Sequence, residues 1–237
     1  MKKTLIALVV FITASISVSG QVIVTSDRSV FNPYPKWRIA VHGGYSYRIG
    51  RTDPSASQFV TDYIKKLKHG YSYGAEVTWY FGNTFGLGLC YDDYHSARSE
   101  YVTGTSDEGD SRTGEMSDCI DIRFIGPIAS YRAVSSGNKH YFMFNFGAGY
   151  LGYWDKSELF DSLVLRGDTF GYMAEFSYDY AITRKIAIGV SLSMISGYLT
   201  SYRKKENGGY VQKIDLEKGS YEGLVHLNVS AGIRFNL

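Results

Sequence analysis

The stretch that leaves the fewest folds open is the last one, Tyr221 to Leu237. Taken alternately, one face carries Tyr221, Gly223, Val225, Leu227, Val229, Ala231, Ile233, Phe235 and Leu237. The other carries Glu222, Leu224, His226, Asn228, Ser230, Gly232 and Arg234. A period of two, apolar on one side and polar or small on the other, is the pattern of a β-strand between two different surroundings. A strand at this end of the chain needs a partner for its free edge. Pairing with the first strand closes a barrel and removes both edges.

Seven further segments alternate in the same way: Trp37–Arg48, Tyr71–Phe81, Phe85–Tyr94, Asp118–Arg132, His140–Tyr153, Asp168–Ala181 and Ile186–Tyr198. In the first, Trp37, Ile39, Val41, Tyr45 and Tyr47 oppose Arg38, Ala40, His42, Gly44, Ser46 and Arg48. In the fourth, Ile120, Ile122, Phe124 and Ile128 oppose Cys119, Asp121, Arg123 and Ala129. Pro127 falls inside that segment and predicts a bulge, because proline cannot donate to a ladder. With 21 Tyr, 13 Phe, 26 Gly and only 4 Pro in 237 residues, the composition favours long strands over helices. Most segments reach the roughly 9–11 residues of a tilted membrane strand.

Alternation does not say which face is inside. A soluble lipocalin-like barrel would turn the apolar face inward. An eight-stranded barrel, however, is only just wide enough for side chains to fill it, and the bulky faces exceed what interior packing density admits. The small polar faces fit that lumen, so the bulky faces are expected to meet lipid. Tyr45, Tyr47, Tyr71 and Tyr73 at one end, with Trp37, Trp79 and Phe81 at the other, then form two interfacial girdles. Short turns at 82–84, 133–139 and 183–185 alternate with long connections at 49–70, 95–117, 154–167 and 199–219. That asymmetry is typical of outer-membrane barrels.

Residues 1–20 have the pattern of a secretory signal peptide: Lys2 and Lys3, an apolar run from Leu5 to Ile12, and cleavage expected before Gln21. The run is shorter than the ~20 residues a spanning helix needs. Residues 21–36 form a polar periplasmic lead and residues 37–237 the barrel. Lys2 and Lys3 alone account for the formal charge of +2. A balanced mature chain gives no reason to expect nucleic acid as a partner.

With its leader, eight strands, uneven loops and a terminal strand bearing Phe235 and Leu237 on its bulky face, the chain resembles the small eight-stranded outer-membrane β-barrel proteins of Gram-negative bacteria. The resemblance runs from Trp37 to Leu237. It implies an all-β antiparallel transmembrane barrel in the cell outer membrane, in contact with outer-membrane lipid including lipopolysaccharide. It also implies insertion by the outer-membrane assembly machinery, which reads such a terminal strand, although Phe235 stands third from the end rather than last. This architecture hosts pores, adhesins, anchors and lipid enzymes, so function rests on individual sites.

The lumen faces collect Arg38, His42, Arg48, Arg123, His226 and Arg234 with Glu76, Asp92, Asp121, Glu175, Asp179 and Glu222. Buried charges must be paired or wet. A salt-bridged plug is therefore expected, with a narrow pore as the alternative. Asp92-Asp93-Tyr94-His95-Ser96 brings carboxylates, a histidine and a serine to the rim, a combination that serves hydrolysis. A solvated strand end is the plainer expectation. Five histidines (His42, His69, His95, His140, His226) show no zinc spacing, and no catalytic, cofactor-binding or metal-binding residue is expected. Cys90 and Cys119 are both expected to face the lumen. A hairpin centred on the long loop sets them out of register, and a tight turn near Gly104 brings them opposite, so pairing stays open.

In the first long loop Phe59, Val60, Tyr63, Ile64 and Leu67 fall at helical spacing beside Lys65, Lys66 and Lys68. Such an amphipathic helix can cap the barrel, lie on the anionic leaflet or meet a partner. The second loop is acidic (Glu100, Asp107, Glu108, Asp110, Glu115) and expected to be mobile. The third carries Leu159, Phe160, Leu163 and Val164, an apolar patch that wants cover. The fourth mixes Arg203, Lys204 and Lys205 with Asp215 and Glu217. The function expected is that of a non-enzymatic closed barrel whose surface loops serve envelope integrity or a surface partner. A rim hydrolase or a small porin-like channel is the alternative.

Overall fold

The computed structural model describes residues 34–50, 58–105, 111–135, 137, 139–159, 161–206, 209–219 and 221–237. The expected signal peptide, the lead up to residue 33, and Asp107, Glu108, Asp110 and Phe160 lie outside the described residues.

The elements are β1 (Trp37–Arg48), α1 (Gln58–Leu67), β2 (His69–Tyr80), β3 (Phe85–Thr105), β4 (Ser111–Val134), β5 (His140–Leu159) and β6 (Asp161–Ala181). They continue with β7 (Ile186–Leu199), β8 (Ser201–Glu206), β9 (Gln212–Asp215), β10 (Glu222–Gly223) and β11 (His226–Asn236). Consecutive strands from β1 to β7 pair antiparallel, and β11 joins β7 to β1. The closing seam runs from Arg38↔Asn236 to Arg48↔His226, so the terminal strand finds the partner its alternation calls for.

Large outward side chains between the two mouths stay exposed, among them Val41, Val77, Leu89, Phe146, Phe176, Val190 and Val229. No soluble surface carries a belt of that kind, and lipid is its solvent. Trp37 and Trp79 meet at 6.4 Å at one end, and Tyr71 stacks on Tyr73 at 6.5 Å at the other. Those are the two girdles.

The second and third long connections are not loops. β3 has 21 residues and β4 has 24, about twice what a crossing needs. Their ladder continues to Thr105↔Ser111, and that of β5 and β6 to Leu159↔Asp161. The segment 95–117, expected to be mobile, is therefore mostly a hairpin whose backbone groups satisfy one another. In the fourth connection β8 pairs with β6, and β9 adds to β8.

Along β4 the phase is the reverse of the one expected. Ile120, Ile122, Phe124 and Ile128 are buried inward, whereas Arg123, Ile125 and Tyr131 face outward. For Ile120, Ile122 and Phe124 the cause is a change of solvent partway up the strand. Ile125 to Tyr131 lie within the lipid belt, but Asp121 and Arg123 stand above it, where the outside is water. There the apolar side turns in, as in a soluble sheet. The inward residues of β4 join Tyr94, Leu151, Tyr153, Met173, Ile195, Leu199 and Leu224 in one buried cluster.

Pro127 makes no bulge. Pairing with β5 stops at Ile125↔Tyr150 and resumes in the same register at Ile128↔Gly147. The strands close up at this break because Gly149 lacks a Cβ, which would lie 2.3 Å from Ile125 O.

The predicted helix is present as α1, and of the three roles open to it the structure shows capping. Tyr63 is buried, its hydroxyl donating to Asp118 Oδ2 at 2.7 Å. Leu67 packs on the apolar cluster, and Lys66 Nζ meets Glu100 Oε1 at 2.6 Å.

Candidate functional site: the closed lumen and the wall above the girdle

Alternation of β1, β2, β6 and β11 delivers a charged network to the middle of the barrel. Arg38 donates through Nη1 to Glu76 Oε2 and through Nε to Asp179 Oδ2, both at 2.9 Å. Arg234 Nε reaches the other Asp179 oxygen at 3.1 Å. Asn145 Nδ2 bridges Glu175 at 3.0 Å and Glu76 at 3.4 Å. Higher up, His42 Nε2 lies 3.3 Å from Asp92, and Asn228 donates to the same carboxylate at 3.1 Å. His42 fits because its neighbour is Gly74, where a Cβ would come within 2.6 Å of the imidazole.

The periplasmic end of the lumen is occupied as well. Arg132 lies 3.7 Å over the Tyr80 ring and donates to Pro35 O at 2.9 Å. The expected phase of the fourth strand turns Arg132 toward lipid, so this pair is not among the expected lumen groups. The inward parity of Ser130 and Arg132 was the available signal.

Arg38, His42, Arg48, His226, Arg234, Glu76, Asp92, Glu175 and Asp179 are buried as expected, and Glu222 is half-buried beside Arg48. Arg123 and Asp121 are corrections. Both face outward from β4, Arg123 to Asp93 at 2.9 Å and Asp121 to His95 at 2.7 Å.

Above the charged network the apolar cluster forms a second stopper. Over it opens a cavity of about 370 Å³ whose lining includes Ile64, Leu67, Ile120, Tyr153, Leu199 and Tyr202, with Arg48, Lys68, Asp155 and Glu222 as its charged groups. Burial pushes the Asp155 carboxyl up to about 6, even though the Tyr153 hydroxyl donates to it at 3.0 Å. Its folded value lies above the ordinary 3.8. The folded state therefore holds the proton more tightly, and the associated stability is complete below about pH 4 and lost as the pH rises through 6. Asp155→Asn is expected to stabilise the protein at pH 8 by on the order of 2 kcal/mol and to change little at pH 4. Urea midpoints at the two pH values check this. An equal effect at both would remove burial of the charge as the cause.

The Asp92–Ser96 cluster is divided between the two faces of the wall. Alternation sends Asp92, Tyr94 and Ser96 inward and Asp93 and His95 outward. Ser96 Oγ lies 2.7 Å from Leu67 O and 2.9 Å from His69 O, on the far side of the wall from His95. Asp93, although outward, is covered by the hydroxyls of Tyr73 and Tyr91 at 3.1 and 2.9 Å. Arg123 in turn stacks 4.9 Å over Trp154.

The cysteines are free. Cys90 pairs with Gly126 and Cys119 with Ala97, so the hairpin is centred on the long connection and not near Gly104. Cys90 faces the lumen, whereas Cys119 faces outward with Asp121, which corrects the expectation that both point in. Burial and then the Asp121 carboxylate hold the Cys119 thiol above its ordinary value. Unaided, it is a poor nucleophile at neutral pH.

The closed ring, lipid belt and paired girdles define an eight-stranded antiparallel transmembrane β-barrel of the Gram-negative outer membrane. A family model described as the OprF membrane domain matches residues 52–119. Among solved structures, a major outer membrane protein from Thermus thermophilus superposes with a TM-score of 0.53 at 12% identity, covering 85% of this chain and 99% of that one. That likeness is one of fold. OprG from Pseudomonas aeruginosa gives 0.49 at 11% identity, covering 85% and 96%. Neisserial surface protein A gives 0.48 at 11% identity, covering 85% and 97%. No curated protein matches the sequence.

Proposed function

We propose that this protein is a non-enzymatic, closed outer-membrane barrel that anchors a rigid extracellular β-structure for envelope integrity or interaction. The observation that carries this is double closure: an ion-paired lumen below an apolar stopper. Its first partner is outer-membrane lipid, including lipopolysaccharide. In support, Arg166 and Arg203 are direct cross-strand partners and both are exposed on the outer wall. Like charges so placed repel, and among the described residues Asp168 pairs with Arg203, at 3.2 Å, and not with Arg166. With Lys205, Trp154 and the exposed Tyr150 they line a groove of about 550 Å³. A phosphorylated glycolipid headgroup suits that chemistry. Insertion by the assembly machinery through β11, and a further surface partner at the hairpin ends, belong to the same proposal.

The test is paired. Purified protein in planar bilayers should give no unitary current, and vesicles containing lipopolysaccharide should bind it several-fold better than zwitterionic vesicles. Arg166→Glu with Arg203→Glu should abolish the preference. Uniform conductance steps would overturn the scaffold, and an undiminished preference would overturn the lipid site.

A further inference from the structure

We propose that His95, Cys119 and Asp121 form a binding site for a borderline-soft divalent cation, zinc foremost, on the outer wall just above the lipid belt. His95 and Asp121 are direct cross-strand partners of β3 and β4. Cys119 stands two residues from Asp121 on the same outward face, and all three are half-buried. One ligand atom from each lies within 4.8 Å of the others. Zinc bonds of ~2.0–2.3 Å in tetrahedral geometry ask for donors roughly 3.3–3.8 Å apart. Small rotamer changes on a fixed ladder supply that difference.

The donor set selects the metal. Imidazole nitrogen, thiolate sulfur and carboxylate oxygen suit zinc and its neighbours, whereas calcium and magnesium take oxygen. The Tyr71 ring packs 4.9 Å from the His95 ring and fixes its plane, as groups around a metal ligand commonly do. Lys156, the cross-strand neighbour of Cys119, is tied to Glu158 at 2.7 Å. Three protein ligands leave the fourth position to water or an outside group, which makes the site open.

A second, independent point is the thiol itself. Cys119 faces the outside of an oxidising compartment, and the other cysteine, Cys90, is on the far side of the wall. Ligation gives that outward thiol a role. A scan for ligand spacing misses the site because His95 and Cys119 meet only across a ladder.

Folded full-length protein in detergent is titrated with cobalt(II), with zinc as competitor. One equivalent of cobalt should give a thiolate-to-metal charge-transfer band that zinc displaces. Zinc should also slow maleimide alkylation of Cys119 in the wild-type protein, a readout that needs no variant. The band should vanish in Cys119→Ser, affinity should fall by about tenfold or more in His95→Ala and Asp121→Asn, and Cys90→Ser should bind as wild type. Absence of the band, its persistence in Cys119→Ser, or alkylation indifferent to zinc would overturn the proposal.

Discussion

Arg38→Met is expected to lower the stability of the folded barrel by about 3–5 kcal/mol, seen as a lower urea midpoint at unchanged slope. Arg38 joins Glu76 to Asp179, and all three side chains are no more than 3% exposed. Methionine keeps much of the volume, so the loss measures charge. Glu76 would lose its one ion pair among the described residues and keep the weak Asn145 contact, and Asp179 would keep Arg234. Neutralising the stranded carboxylate should return part of the loss, so Arg38→Met with Glu76→Gln should be more stable than the two single costs predict. Unchanged midpoints would mean that water already solvates these groups, and the lumen would then be wet.

Phe124→Ala should cost a similar amount, about 3–5 kcal/mol. Phe124 is fully buried among Ile122, Leu151 and Met173 in the upper stopper. Its removal opens a cavity in a packed interior. Ile125→Ala, one residue further on, should cost much less, because that side chain is 54% exposed toward lipid and lipid can fill the gap. The reverse order would place Phe124 on the lipid face and dissolve the stopper.

The barrel itself was readable because seven of the eight alternating segments lie largely within the lipid belt, with lipid outside and the lumen inside, and alternation reports that directly. β1 shows it best, with the bounds its pattern predicts. β4 misled because its alternating segment, Asp118–Arg132, runs on past the membrane into water. Ile120, Ile122 and Phe124 are bulky, as lipid-facing residues are, yet they stand where water lies outside. Period two marks which residues share a face, but it does not say where along the strand the membrane stops. Asp121 and Arg123 beside the more ordinary Tyr131 were the only trace of that level. Strand length beyond the membrane was hidden for a related reason. Polar, glycine-containing residues such as those at 95–105 look like loop until a partner strand satisfies their backbone. The charged network on β1, β2, β6 and β11 was foreseen as a set, whereas its pairings depend on the register around the ring and could not be. The Asp155 cavity and the His95–Cys119–Asp121 group depend on the phase of β4 or the length of its neighbours, so neither was within reach.

Everything above the girdle rests on that phase. The direct measurement is a nitroxide scan along β4 from residue 119 to 131, in a Cys90→Ser, Cys119→Ser background, scoring collisions with oxygen and with a water-soluble nickel complex. Labels at 119, 121 and 123 should meet the nickel complex, labels at 125, 127, 129 and 131 should meet oxygen in lipid, and labels at 120, 122, 124 and 128 should meet neither. If 120, 122 and 124 report lipid and 123 reports a wet lumen, the wall does not exchange its solvent at the girdle, and the closed, elevated barrel described here is contradicted.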